Sequence, residues 1–232
     1  MSVVPVLRAG EVHVWTVTLS QVPGAVECLS ADERARHDRY HYAVHAQRFA
    51  ARRAALRSVL GGYVGCDPSD VDYVTGVAGK PALVGAGPVF NASSSGDIAL
   101  IAVAQAGVLG VDVEAGRDVK DADAIADRFF TPGECAVLRQ QPAADRLAAF
   151  YRLWTSKEAL LKAVGTGLPG GLDRFEVSAD PALPPALLSD SDGGTRFHLY
   201  PADPGPGYFG ALAVDAGQVR VVPCAFDPQA VR

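Results

Sequence analysis

Phe150-Tyr151-Arg152-Leu153-Trp154-Thr155-Ser156-Lys157-Glu158-Ala159-Leu160-Leu161-Lys162 is the stretch on which the reading of this chain turns. At 100° per residue, Phe150, Leu153, Leu160, Leu161 and, just beyond, Val164 form one apolar stripe, the mark of a helix laid against a core. Lys157 falls inside that stripe. On the adjoining flank Trp154, Glu158 and Lys162 follow at intervals of four, so an aromatic ring, a carboxylate and an ammonium share a face. A snorkelling lysine beside a surface ion pair is the ordinary account of such a helix. A functional face is the other.

Upstream of this helix, which closes at Gly165, Thr131-Pro132-Gly133-Glu134 reads as a capping box with proline at the first helical position, and Asp121 to Phe130 reads as helical. Two apolar runs, Ile98 to Ala104 and Val108 to Glu114, joined by Gln105-Ala106-Gly107, predict a buried hairpin. Its second strand puts Asp112 and Glu114 on one face, with Val111 and Val113 on the other. Val71 to Val74, the turn Val77-Ala78-Gly79-Lys80-Pro81 and Phe90 to Asp97 read as short strands and loops. Nearer the start, Ser30-Ala31-Asp32-Glu33 opens a helical region, broken near Tyr42, that runs to Leu60 before Gly61-Gly62, and Glu11 to Leu19 alternates like an edge or half-buried strand. Downstream, Leu172 to Ser178 and Thr195 to Tyr200 are strand-like and flank the polar stretch Ser189 to Gly194. Pro201 to Gly207 is turn-rich, and Tyr208 to Val214 and Val219 to Pro223 finish the sheet. A helix closing on glycine, then a strand, a loop and an apolar strand, occurs twice, which suggests two similar α+β halves meeting near residue 107.

With 232 residues, 49% hydrophobic and 20% charged, the chain can bury one large core or two small ones. It contains no long uncharged apolar run, and Met1 to Leu19 lacks the pattern of a secretory signal, so a cytoplasmic protein is expected. Its 4 cysteines are scattered without a C-x-x-C pair, which favours free thiols over a zinc knuckle. A net charge of -5 argues against wholesale nucleic-acid binding, yet Arg34, Arg36, Arg39, Arg48, Arg52, Arg53 and Arg57 crowd one segment with only Glu33 and Asp38 to offset them. That local cationic surface suits phosphates or an acidic partner. His37, His41 and His45 recur at helical spacing, but without a carboxylate or cysteine in register they read as solvated.

Asp112 and Glu114 repel each other unless a cation lies between them, and magnesium, which accepts a few carboxylates and completes its shell with water and phosphate oxygens, fits that place. Glu158 is a candidate third ligand, and Lys157, Lys162 and the Arg48 region could neutralise phosphates. Taken alone, D-x-E is equally a plain acidic surface pair. There is no Walker A loop, no G-x-G-x-x-G after a strand, no G-x-S-x-G elbow and no H-E-x-x-H. Phosphate anchors without an evident nucleophile point to a protein that brings two substrates together, one of them carrying the nucleophile.

Gly110-Val111-Asp112-Val113-Glu114, followed by Trp154-Thr155-Ser156-Lys157-Glu158-Ala159-Leu160-Leu161-Lys162, resembles the paired signature G-[VI]-D-[VI]-E and W-x-x-K-E-A-x-x-K of 4'-phosphopantetheinyl transferases. Gly79-Lys80-Pro81 and Phe90-Asn91-Ala92-Ser93-Ser94-Ser95 look like the G-K-P and F-N-x-S-H-S elements of its larger, surfactin-synthetase-activating (Sfp-type) branch. The resemblance implies an α+β fold: a pseudo-two-fold pair of similar halves, each a small antiparallel sheet packed on a long helix. Residues 1–107 would hold the coenzyme A nucleotide contacts, and residues 108–232 the metal ligands and catalytic helix.

It also implies a monomer with coenzyme A and Mg2+ in the cleft between halves. Asp112, Glu114 and Glu158 would be the metal ligands. Lys157 and Lys162 would face the coenzyme, Lys80, Ser93 and Arg48 would lie at its nucleotide end, and Ser94 would stand where the family's histidine contacts a phosphate of the coenzyme. The implied reaction moves 4'-phosphopantetheine from coenzyme A to a serine of an apo acyl or peptidyl carrier protein of fatty-acid, polyketide or nonribosomal peptide synthesis, and releases adenosine 3',5'-bisphosphate. Ser94 departs from the family's histidine, which removes a charge near the phosphates; weaker coenzyme binding is expected, or compensation by the arginines after Arg48. Two rival readings are a catalytically silent coenzyme A or carrier-binding homologue and a metal-dependent phosphohydrolase.

Overall fold

The computed structural model describes all residues except 1–3, 77, 78, 166–170, 181, 182, 192–195, 216, 231 and 232. The first half runs β1 (Glu11–Thr18), α1 (Ala31–His37), α2 (Ala43–Val64), β2 (Tyr73–Thr75), β3 (Pro81–Leu83), β4 (Val89–Ser95) and β5 (Ile98–Ala104). The second runs β6 (Val108–Ala115), α3 (Ala122–Phe129), α4 (Pro132–Gln140), α5 (Ala143–Val164), β7 (Phe175–Val177), β8 (Leu187–Asp190), β9 (His198–Pro201) and β10 (Tyr208–Asp215). A last strand, β11 (Arg220–Ala225), returns to the first half and pairs parallel with β1. The two long helices are both 22 residues and both end on a glycine in the left-handed region, Gly65 at φ 76° and Gly165 at φ 80°, a conformation that satisfies the last carbonyls at no steric cost.

The layers stack helix, sheet, sheet, helix. α2 lays Ala51, Ala54, Ala55 and Val59 on the β1 and β5 residues Val17, Ile101 and Val103. α5 lays Phe150, Leu153 and Leu160 near Ala211 and Ala213 of β10. Between the sheets Val14, Leu100 and Ala102 meet Val111, Val113 and Leu212 in a third apolar cluster, which joins the halves. The two-residue period of β6 therefore turns Val111 and Val113 to the central core and leaves Gly110, Asp112 and Glu114 on the α5 side.

Five sequence expectations change. The strands β5 and β6 do not form a hairpin: the sheets run β11-β1-β5-β4 and β6-β10-β9, so both edges of β5 are taken and the chain crosses at Gly107 (φ 98°) into the other sheet. β1 is interior, between β5 and β11, and not at an edge. Gly61 does not end its helix, which continues to Val64; a Cβ there would lie 2.7 Å from the Cys66 carbonyl, so this glycine admits the returning chain. The stretch from Ser189, read as polar connection, begins inside β8, and the strand read from Leu172 is ordered as β7 only over Phe175–Val177. Val77 and Ala78 of the expected turn, and Thr195 of the expected strand, lie outside the described residues.

Candidate active site

β4 and β6 are the facing edges of the two sheets but belong to different ladders. Side chains make the joins that backbone pairing does not. Asn91 Oδ1 accepts from Val111 N at 3.0 Å, Ser93 Oγ donates to Asp112 Oδ1 at 2.8 Å, and Ser95 Oγ accepts from Ala115 N at 3.1 Å and donates to Glu114 Oε2 at 2.7 Å. From Asn91 on, every second residue of β4 thus carries an oxygen that meets an edge amide or a carboxylate of β6. Asn91 and Ser95 were not among the residues singled out from sequence; their alternation along β4 was the signal available.

α5 reaches this seam because β6 offers it a glycine. A Cβ at Gly110 would lie 2.1 Å from Ala159 O and 2.4 Å from Ala163 N, so the helix backbone rests on the strand. That approach brings Lys162 Nζ to 2.6 Å from Asp112 Oδ1 and 2.7 Å from Ser93 Oγ. Asp112 is 3% exposed, and its Oδ2 has no hydrogen-bond partner among the described residues. Burial pushes the Asp112 carboxyl up, against the pull of Lys162 and Ser93. Glu158 is also pushed up, first by burial and then by the negative charges of Asp112 and Glu114, with Lys162 opposing. Three carboxylates therefore share one electrostatic neighbourhood, although among the described residues no three acidic, histidine or cysteine side chains close into a metal-binding group. The histidines of the arginine-rich segment do not gather either: His37 pairs with Asp38, and His41 and His45 pack on Tyr42.

The remaining expected residues divide. Lys157 does not face a cleft. It is fully buried, 2.7 Å from Glu134 Oε2, and it also donates to the Leu172 (2.8 Å) and Phe175 carbonyls, so all three ammonium hydrogens have protein acceptors and the expected phosphate contact has no donor left. Lys80 Nζ donates to Leu109 O at 2.9 Å and Ala163 O at 3.0 Å, tying the segment before β3 to the end of α5; burial lowers its pKa. Arg48 is exposed on α2. One turn on, Arg52 Nη1 donates to Ser94 Oγ at 3.0 Å, and burial and the neighbouring Arg53 lower its pKa. Arg52 was legible only as one of a run of arginines; which of them turns inward is decided by the packing of α2 on β4.

Two clefts flank the acidic residues. One, of about 360 Å³, is lined by Arg52, Arg53, Ser93, Ser94 and Lys162 with Leu56, Gly79, Pro81 and Ala92. The other, of about 320 Å³, is lined by Glu114, Arg117, Lys120, Tyr151 and Trp154 among others. The Trp154, Glu158, Lys162 face of α5 thus runs from the second cleft to the first, and Glu158 lies between them. An arrangement with cations and hydroxyls on one side, acids in the middle and aromatic surface beyond can hold an anion at one end and a second molecule at the other.

The family model described as the 4'-phosphopantetheinyl transferase superfamily matches residues 108–212. The chain is 38% identical over 205 residues to the 4'-phosphopantetheinyl transferase HetI of Nostoc sp., covering 85% of this chain and 86% of that protein. It is 29% identical over 179 residues to the 4'-phosphopantetheinyl transferase Sfp of Bacillus subtilis, covering 76% and 79% respectively. Among solved structures, the holo-[acyl-carrier-protein] synthase of Neisseria meningitidis is similar over 47% of this chain and 97% of its own, at 23% identity and a TM-score of 0.37.

Proposed function

The chain belongs to the 4'-phosphopantetheinyl transferase superfamily and is an enzyme of that class, and from that premise we propose that its donor is coenzyme A, its acceptor the serine of an apo acyl or peptidyl carrier protein, and its metal Mg2+. The observation that carries the reading is Lys162 Nζ meeting Asp112 at 2.6 Å and Ser93 at 2.7 Å, which gathers an ammonium, a carboxylate and a hydroxyl from three elements beside an arginine-lined cleft.

The pyrophosphate of coenzyme A would lie in that cleft. Lys162 would take one phosphate oxygen, and Arg52 with Ser94 would take another charge further along, in place of the histidine of the family pattern. Asp112, Glu114 and Glu158 would hold the metal. What supports an ion there is donor chemistry: hard carboxylate oxygens whose charges burden one another, one of them, Asp112 Oδ2, buried without a partner. Once bound, Mg2+ supplies positive charge to the pyrophosphate as its central bond breaks.

Glu158 would accept the proton of the carrier serine as that oxygen attacks the β-phosphorus. The bond from this phosphorus to the bridging oxygen then breaks, and adenosine 3',5'-bisphosphate leaves with the electron pair. Trp154, Tyr151, Arg117 and Lys120, beyond Glu114, would receive the carrier. A monomer in the cytoplasm agrees with four free cysteines and with both halves lying in one chain. No helix among the described residues is long and apolar enough to cross a membrane.

The test is incubation with coenzyme A, Mg2+ and a panel of apo carrier proteins, read by mass spectrometry. A carrier that gains one phosphopantetheine on serine supports the reading. Phosphate released from coenzyme A without any carrier, and no mass gain, would replace it with hydrolysis.

A further inference from the structure

Arg57 of α2 and Lys157 of α5 make the same set of contacts in the two halves, each lying 14 residues after the first residue of its helix, Ala43 or Ala143. Arg57 Nε donates to Glu33 Oε2 at 2.8 Å; Glu33 completes the capping box of α1, and the same oxygen accepts from Ser30 N at 3.0 Å. Lys157 Nζ lies 2.7 Å from Glu134 Oε2; Glu134 completes the capping box of α4, and the same oxygen accepts from Thr131 N at 2.8 Å. Each cation then reaches two carbonyls in the chain that follows its helix, Pro68 (3.2 Å) and Val71 (2.7 Å) for Arg57, Leu172 (2.8 Å) and Phe175 for Lys157. Glu134 Oε1 adds a bond from Val177 N at 2.7 Å, so α4, α5 and β7 meet at one buried charge pair.

The comparison between halves separates architecture from chemistry. After Arg57 comes Ser58, where α5 has Glu158. The same clamp is therefore built in a half whose long helix carries no carboxylate at the matching place, and in both halves its partners are a capping glutamate and two carbonyls of that half, not groups of the cleft. In α5 the clamp has a consequence its twin lacks. Successive residues of a helix point 100° apart, so a side chain pinned inward at 157 sets the direction taken by 158.

We infer that Lys157 is a positioning residue: paired with Glu134, it fixes the rotation of α5 about its axis and so aims Glu158 at Asp112 and Glu114, without touching either substrate. This rests on the role given to Glu158 above. An ammonium whose three hydrogens are held by Glu134, Leu172 and Phe175 has nothing to offer an incoming phosphate.

Two measurements test it. In the native protein, amine-reactive labelling followed by mass mapping should modify Lys162, with protection by coenzyme A, and leave Lys157 unmodified with or without it. Labelling of Lys157 that coenzyme A suppresses would overturn the inference. The second uses Lys157→Met/Glu134→Gln, made as a pair because removing one partner strands a buried charge. Its coenzyme A Kd and KM should stay within about twofold of native while kcat falls roughly 10- to 100-fold, the signature of a misplaced group. Lys157→Arg, which copies Arg57, should recover most of that rate. A Kd weakened about 10-fold or more, as when a charged hydrogen bond to phosphate is lost, or an unchanged kcat, would overturn it. Glu158→Gln run in parallel separates the two claims: full transfer by that variant overturns the reading of the site itself, whatever Lys157 does.

Discussion

Lys162 Nζ lies 2.6 Å from Asp112 Oδ1, a contact within the second half, beside its seam with the first, that places the last lysine of the W-x-x-K-E-A-x-x-K stretch on the first carboxylate of G-V-D-V-E. Asp112 is nearly enclosed, while the Lys162 side chain is 29% exposed, so the ammonium can answer both the buried carboxylate and a phosphate in the cleft.

Lys162→Ala should therefore lower kcat/KM for carrier modification by roughly 10²- to 10³-fold, the scale seen when one preorganised donor to a developing charge is removed. Steady-state kinetics with varied coenzyme A would measure it. A loss below tenfold would leave Lys162 with no more than a structural part.

Arg52 and Arg48 are one helical turn apart on α2 but differ in surroundings: Arg52 donates to Ser94 beside the cleft, and Arg48 is exposed. Arg52→Ala should weaken coenzyme A binding by about 10-fold or more, whereas Arg48→Ala should change it by no more than about twofold. Ser94→His should tighten binding more when Arg52 is absent than when it is present, since the two cations would serve one phosphate. Calorimetric titration of the four proteins gives the cycle, and additive effects would show that Arg52 does not stand in for histidine.

Gly110→Ala places a methyl group 2.1 Å from Ala159 O and 2.4 Å from Ala163 N, backbone atoms that cannot turn aside. Overpacking of this kind costs about 1–3 kcal/mol, and more where backbone must move. The variant should unfold at lower denaturant concentration and, because α5 carries Glu158 and Lys162, lose transfer activity even where it is folded. Native stability in a urea titration would refute the contact.

Tyr63 and Tyr73 are each pushed up to about 12, first by burial, and in Tyr73 also by its hydrogen bond to Glu33. A tyrosine ionises near 10 in an unfolded chain, so above that pH the unfolded state loses protons that the folded state retains. Stability from these two groups is fully present below pH ~10 and is lost as pH rises towards ~12. Thermal melts between those limits should show a steep fall that Tyr63→Phe and Tyr73→Phe each flatten; an unchanged slope in both would contradict the burial effect.

Local pattern settled a good deal without coordinates. The stripe from Phe150 to Val164, the capping boxes at Ser30 and Thr131 and the apolar strands at 98–104 and 108–114 appear in the structure because each is decided by periodicity or by a hydrogen bond three residues long. The alternation along β6 likewise put Asp112 and Glu114 on one side. Strand partners were not legible. Ile98 to Ala104 and Val108 to Glu114 look like a hairpin, yet both edges of β5 are occupied by β1 and β4, and pairing depends on residues far away in sequence.

The chain by itself therefore determined which residue types stand at which helical and strand positions, and with them the α+β class, the carboxylates, and the lysines and arginines available for chemistry. Only the tertiary structure decided where each charge goes. On a helical wheel Lys157 stands in the apolar stripe and Lys162 on its flank, but the wheel names no partners: one finds Glu134 and two carbonyls in the interior while the other reaches Asp112 and Ser93 at the cleft. Burial makes the difference: a charge taken out of water is tolerable only where acceptors from other segments already converge, and the sequence of one helix carries no record of them.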